Sequence, residues 1–217
     1  MASPPDCYLI VFNVSKKHNI GTLVRCATAF NVKEVCLVGS RQFNTFGSHG
    51  SEAYVAYRHF NTLEECCEEL KSKHGCEIIG VEITDTAKPV HTHPWYGPVA
   101  FMLGNEGTGL NDRQMRVCDS FVYISQYGAG TASLNVAVAA SIVLHQYAIW
   151  AGYQERSRQG YKFDVAERPE KRPTARGMVP LTEVERQELR AKRAGGDKSG
   201  SDGENFLDFS GRGLPST

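Results

Sequence analysis

The chain has no excess charge of either sign: 24 Lys and Arg stand against 24 Asp and Glu in 217 residues. No global basic field announces a nucleic acid, so an anionic partner has to be met by a local patch. Long hydrophobic runs are missing as well. The most apolar helix candidate, Val136 to Leu144, is bounded by Asn135 and His145 and falls far short of the roughly 20 residues a membrane span needs. Met1 to Cys7 lacks the charged-then-apolar pattern of a secretion signal. The seven cysteines are scattered and never spaced as CxxC, and the adjacent pair Cys66-Cys67 cannot by itself present tetrahedral geometry. They read as reduced thiols of a soluble intracellular protein that holds no metal and touches no membrane. The cytoplasm is the first expectation, and nucleus or organelle fits the same chemistry. Internal repeats are absent, and Asn13-Val14-Ser15-Lys16 is not the GxGxxG turn of a dinucleotide-binding domain.

What is present is an alternation of short apolar runs and amphipathic stretches. Tyr8–Phe12 and Glu34–Val38 suit buried strands. Between them Ile20, Leu23, Val24, Ala27 and Phe30 repeat at helical spacing, with Asn19 placed as the N-cap. A polar loop over 40–52 is longer than a plain connection requires. Then come helix Leu63–Lys73, strand Glu77–Ile83, loop Thr84–Gly97, strand Pro98–Leu103, helix Asn111–Val117 and strand Ser120–Ile124. Ser133–Trp150 closes the series as a helix apolar nearly all round, which has to be covered on most sides. The order predicts an α/β fold with a parallel sheet. The domain spans residues 1–156. Residues 157–217 are charged and rich in Pro and Gly, a composition that predicts a flexible tail. Within it Thr182-Glu183-Val184-Glu185 has capping-box spacing and Gly195-Gly196 a stop, predicting a helix over 183–194. From Glu155 to Lys198 there are 12 Lys or Arg against 8 Asp or Glu, so this part of the tail is basic.

Three stretches, far apart in sequence, carry the chemistry. In Leu103-Gly104-Asn105-Glu106-Gly107-Thr108-Gly109-Leu110 a strand breaks into a glycine-rich turn. Ligands of parallel sheets sit beyond strand carboxyl ends, where glycine lets backbone approach closely. In Gly130-Thr131-Ala132-Ser133-Leu134-Asn135-Val136 a loop opens the last helix, with Ser133 as its N-cap. That puts Asn135 in the first turn, where an amide rarely helps a helix and so has another purpose. In Asn19-Ile20-Gly21-Thr22-Leu23-Val24-Arg25 the arginine lies about 600° of helical rotation from Asn19, at roughly 100° per residue, so the two serve different surfaces. An exposed arginine is a fork suited to phosphate.

In this order the three stretches, NxGxxxR, LGxExxGL and SLNVxxAA, resemble the SpoU (TrmH-like) branch of the SPOUT superfamily of RNA methyltransferases, over about Tyr8 to Trp150. The resemblance implies a SPOUT fold whose C-terminal segment is threaded into a trefoil knot, an exception to the unknotted rule. It further implies a homodimer joined through the knot region. The implied activity is S-adenosyl-L-methionine-dependent methylation of a ribose 2′-hydroxyl in RNA, tRNA first and rRNA next, the alternative being a catalytically silent RNA-binding SPOUT-fold protein. Leu103, Gly104, Ile124, Ser133 and Leu134 are implied to hold the methyl donor, and Asn19, Arg25, Glu106, Ser133 and Asn135 to lie in or beside the catalytic pocket. Arg25 is expected to reach the neighbouring subunit's site. Relatives carry Ile-Pro-Met where this chain has Ile124-Ser125-Gln126, which removes a fixed φ and restores an N–H at the donor pocket.

No histidine or carboxylate pair in these stretches stands out as a base, and a guanidinium stays protonated in proteins. The expected role of Arg25 is therefore to clamp a phosphate and aim the ribose, with that phosphate or a water taking the proton. Asn19 and Asn135 would fix the sugar and the loop, and Glu106 would orient Asn19 or Arg25. RNA affinity resting on phosphate contacts is salt-dependent. Besides Arg25, the candidate contacts are Lys16, Lys17 and Arg41, then His18, His49 and the basic part of the tail.

Overall fold

The computed structural model describes residues 3–12, 17–41, 47–105, 107–169, 181 and 183–195; the side chains of residues 17, 18, 185, 189 and 192–195 fall outside that description. The chain divides into two units, 1–180 and 181–217.

Seven strands of the first unit form one parallel sheet: β1 (Cys7–Val11), β2 (Glu34–Val38), β3 (Ala56–Phe60), β4 (Glu77–Val81), β5 (Lys88–Pro89), β6 (Val99–Leu103) and β7 (Ser120–Tyr123). Their spatial order is β3-β2-β1-β6-β4-β7-β5, with parallel pairing throughout. The central strands are apolar at every position because both faces are covered. Register shows how the two faces divide. Val35, Leu9, Phe101 and Ile79 pair in a row across β2, β1, β6 and β4 and point into one core. One residue further along, Cys36, Ile10 and Met102 form a row that points into the other.

Helix α1 (Lys17–Ala29) covers the first face with Leu23, Val24 and Ala27, alongside α4 (Val136–Trp150) with Val136, Ala137, Ala140, Val143, Leu144 and Tyr147. The Tyr147 hydroxyl is shared between the carbonyls of Asp6 at 3.1 Å and Gly97 at 2.9 Å, which ties α4 to the entrances of β1 and β6. Helices α2 (Leu63–His74) and α3 (Asp112–Val117) cover the second face. Local rules place α2 well. Thr62 accepts from the Glu65 N–H, acids occupy the first turn and bases the last, and Gly75 takes the left-handed exit at φ 62°.

Several expected boundaries are corrected. Helix α1 begins at Lys17, so Asn19 lies inside its first turn and is not its N-cap. The cap of α4 is Asn135, with the helix starting at Val136 and not at Ser133. A strand not anticipated from sequence, β3, sits at the sheet edge, its polar residues paired: Arg58 bridges Glu34 and Glu69, and His59 Nε2 lies 2.7 Å from the Gly39 carbonyl. Past α4, strands β8 (Arg158–Gln159) and β9 (Lys162–Phe163) pair as an antiparallel ribbon inside the stretch whose composition reads as a flexible tail. In the second unit, helix α5 spans Glu183–Gly195. Thr182, the expected cap residue there, lies outside the described residues.

No helix among the described residues is long and apolar enough to cross a membrane.

Candidate active site

The carboxyl ends of β4, β6 and β7 open onto a cavity of about 350 Å³. Its walls are Val81, Glu82 and Ile83 after β4, Leu103 to Asn105 with Gly107 and Gly109 after β6, Tyr123, Ile124 and Gln126 after β7, and Ala132 to Leu134 with Val136 and Ala139 leading into α4. Two of the three sequence stretches therefore meet at one pocket. All five residues expected to hold a donor, Leu103, Gly104, Ile124, Ser133 and Leu134, line it.

The turn after β6 is held in shape by its own backbone. The N–H groups of Asn105 and Gly109 each donate to the other residue's carbonyl at 2.9 Å, and the Asn105 side chain accepts from the Gly107 N–H at 2.9 Å. Closure this tight requires glycine: a Cβ on Gly104 would sit 2.5 Å from the Gly109 carbonyl carbon. Gly109 has φ +67°, and a Cβ there would run into the Glu82 carboxylate.

Two residues that sequence reasoning missed anchor this turn. Glu82 accepts from the Leu110 N–H at 2.9 Å and from the Ile83 N–H at 3.0 Å, stapling the turn to the end of β4. It is the one carboxylate among the described lining residues. Gln114, completely buried, donates to the Leu103 carbonyl at 3.2 Å and completes a capping box with Asn111 at the start of α3. The spacing Asn111-x-x-Gln114 was a readable signal for it. Nothing in the sequence distinguishes Glu82 from an ordinary residue at a strand end.

The third stretch is joined through an amide pair. Asn135 Oδ1 accepts from the N–H groups of Ala137 at 2.9 Å and Val138 at 3.4 Å, and its Nδ2 donates to Asn19 Oδ1 at 3.2 Å. One carboxamide thus caps α4 with its oxygen and grips α1 with its nitrogen, using both chemical ends. Asn19 is only 8% exposed. Arg25 stands on an exposed face of α1 and is not among the cavity-lining residues of its own chain. Arg41 is half-buried at the start of the long loop, away from the lining. Glu106 and Lys16 lie outside the described residues, as does the Lys17 side chain.

No group of three or more His, Cys, Asp or Glu among the described residues is arranged to hold a metal. Burial pushes the Cys67, Cys76 and Cys118 thiols up to about 12, so none is a thiolate nucleophile near neutral pH.

Residues 6–145 match the sequence profile of the SpoU rRNA Methylase family. The chain belongs to that family. Among curated SpoU relatives, the tRNA (guanosine(18)-2'-O)-methyltransferase of Escherichia coli K12 is 30% identical over 146 residues, which are 65% of this chain and 62% of the relative. The chain thus spans less than two thirds of that relative's length. Solved structures share the fold. The A. aeolicus TrmH/SpoU tRNA modifying enzyme aligns with a TM-score of 0.58 at 21% identity, over 90% of both chains. An AdoMet-bound rRNA methyltransferase from Sinorhizobium meliloti aligns with a TM-score of 0.58 at 24% identity, over 69% of this chain and 59% of that one.

Proposed function

We propose that this SpoU-family chain is an S-adenosyl-L-methionine-dependent RNA methyltransferase that modifies a ribose 2′-hydroxyl, in tRNA first and rRNA next. The observation that carries the reading is the strand-end cavity, walled by the glycine turn after β6 and the lead into α4, the latter bonded through Asn135 to Asn19. Its volume of about 350 Å³ lies in the range of small-molecule sites. Its described lining combines apolar side chains, glycine backbone and one carboxylate, Glu82, a set that suits a compact, positively charged donor. Leu103, Gly104, Ile124, Ser133 and Leu134 are the residues assigned to hold it. When bound, S-adenosyl-L-methionine supplies a methyl group activated on a sulfonium.

The chain's own part is alignment, which carries most of such a reaction. Glu82 and Gln114 hold the glycine turn and the Leu103 carbonyl in fixed positions. The Asn19–Asn135 pair sets the angle between α1 and the start of α4. Arg25 grips the phosphate beside the target ribose and aims the hydroxyl, whose proton passes to that phosphate or to a water. Because Arg25 is absent from its own chain's cavity, the reading includes a homodimer in which Arg25 serves the partner's site. Lys16, Lys17 and Arg41 are assigned to phosphates further out, and Glu106 to orienting Asn19 or Arg25. The methyltransferase unit is taken as 1–156, with 157–217 as an appended charged segment. A trefoil knot belongs to the same reading. It is supported by the insertion of β6 between β1 and β4 and by the return of α4 to pack beside α1.

The test is calorimetric titration of the donor, with and without RNA, together with mapping of ribose methylation in cells with and without the protein. Arg25→Ala is expected to lower turnover at least a hundredfold while donor affinity stays within about twofold. A parallel collapse of donor affinity would make Arg25 a donor-site or structural residue. Donor binding with no methylated site lost would favour the catalytically silent alternative.

A further inference from the structure

The ribbon β8–β9 has no part in the site described above, and its composition is unusual for a surface turn. From Arg156 to Phe163 it reads Arg-Ser-Arg-Gln-Gly-Tyr-Lys-Phe, three cations and two aromatics with no carboxylate. Gly160, at φ +60°, and Tyr161 make the two-residue connection, and Arg158 pairs with Phe163 and Gln159 with Lys162 across the strands. Tyr161 at the tip is fully exposed and Phe163 is half exposed. The Arg158 guanidinium lies 5.7 Å from the Phe163 ring centroid, a cation stacked on an aromatic.

The ribbon is braced. Arg156 donates to the Asp164 carbonyl, the Ser157 hydroxyl bonds Asp164 Oδ2 at 2.5 Å, and the Asp164 N–H donates to the Ser157 carbonyl at 3.0 Å. Glu155 pairs with Arg158 at 3.7 Å across an exposed surface and Asp164 sits at the base, so Lys162, beside Tyr161, is the cation nearest the tip. Just beyond, the Tyr54 hydroxyl donates to the Ala166 carbonyl at 3.2 Å. Tyr54 follows the 3₁₀ turn Ser51–Ala53, and the Ser51 carbonyl accepts from the Thr28 hydroxyl of α1 at 3.1 Å. A continuous set of contacts therefore runs from the ribbon to the helix that carries Asn19 and Arg25.

We propose that this ribbon is an RNA contact that stacks an unpaired base of the substrate on Tyr161 while Lys162 and Arg158 take the flanking phosphates. It rests on the methyltransferase reading and adds to it a surface outside the catalytic pocket. Tyr161, fully exposed at a braced tip, has no packing role there. Base stacking on such rings is tolerant of sequence, and the cations around it match an anionic backbone.

The experiment uses the full chain with two fluorescent probes, unfractionated tRNA and fragmented ribosomal RNA, and reads anisotropy across a salt series. Tyr161→Ala is expected to weaken binding roughly tenfold, Tyr161→Phe to keep it within twofold, and Lys162→Ala to reduce the salt slope by about 0.7 to 0.9. Donor affinity and thermal unfolding should match the parent chain in all three, because the tip is solvent-exposed. If the parent chain binds RNA and donor but Tyr161→Ala and Lys162→Ala bind RNA equally well, the ribbon proposal is overturned while the methyltransferase reading stands. Donor binding without any RNA binding would overturn the ribbon and the substrate class together. A parent chain that binds neither would remove the enzymatic reading as well.

Discussion

Asn135 offers a separable test of how the site is built, because its two ends do different work. The oxygen caps α4, and the nitrogen bonds Asn19 across 116 residues of chain. Truncation to alanine removes both. Loss of a cap costs about 1 kcal/mol, and loss of a neutral hydrogen bond costs about 1 kcal/mol more. At roughly 2 to 4 °C per kcal/mol for a domain of this size, Asn135→Ala should melt about 4 to 8 °C below the parent. Serine caps as well as asparagine but is too short to span to Asn19. Asn135→Ser should therefore lose only the cross-helix bond, about 2 to 4 °C. Thermal unfolding by circular dichroism gives the order parent, Ser, Ala. Donor titration on the same samples should follow that order, since Leu134 and Val136 on either side line the cavity. If the serine variant melts with the alanine variant, capping contributes nothing. If both melt with the parent, the amide pair is not formed in solution.

Two further outcomes follow from other parts of the unit. Glu82→Ala frees the N–H groups of Leu110 and Ile83 and unties the glycine turn, so donor affinity should fall about tenfold, a loss near the worth of one hydrogen bond to a charged group. Glu82→Gln keeps an acceptor oxygen and should recover most of it; equal donor affinity in the alanine variant would show that the turn holds itself. Stability should also decline in alkali. Burial holds the Cys67, Cys76 and Cys118 thiols up to about 12, against about 8.5 in an unfolded chain. The unfolded state therefore releases these protons first. The stabilisation is complete below about pH 8.5 and drains away as pH rises toward 12. Burial also raises the Tyr147 and Tyr153 hydroxyls, in the same direction. A urea midpoint at pH 10 that equals the midpoint at pH 7.5 would contradict this.

The central strands were legible because a strand buried on both faces is written as an unbroken apolar run, as in Val99–Leu103 and residues 35–38. The edge strand β3 was not, because its Arg58 and the Nε2 of His59 are paired with residues distant in sequence, Glu34, Glu69 and Gly39, and such pairing leaves no local pattern. The caps of α1 and α4 were misread for a related reason. Asn19, Ser133 and Asn135 are all competent N-cap residues, and Asn135 takes the α4 cap while also bonding Asn19, 116 residues away, a pairing that leaves no local pattern. The glycine turn announced itself through its spacing. Its anchor Glu82 did not, since a carboxylate at a strand end acquires meaning only once β6 is inserted beside β4 and brings the Leu110 N–H within reach.

The position of Arg25 bears on how a complete site is assembled. Helix α1 turns Asn19, Leu23, Val24 and Ala27 inward, and the same helical geometry that buries them obliges Arg25 to face out. Its neighbour α4 is apolar on its outer side too, with Val138 and Ile149 about half exposed. A helix so apolar is poorly suited to water on that side. The helix pair that positions the amide bridge therefore also leaves open an apolar surface and the Arg25 side chain, while the cavity has no cation among its described lining residues. In the proposed homodimer these two deficits answer each other: covering the outer side of α4 with a second copy would remove its exposure and carry an Arg25 toward each cavity. Catalysis would then depend on association, because the groups proposed to hold the donor and the group proposed to aim the ribose would belong to different subunits.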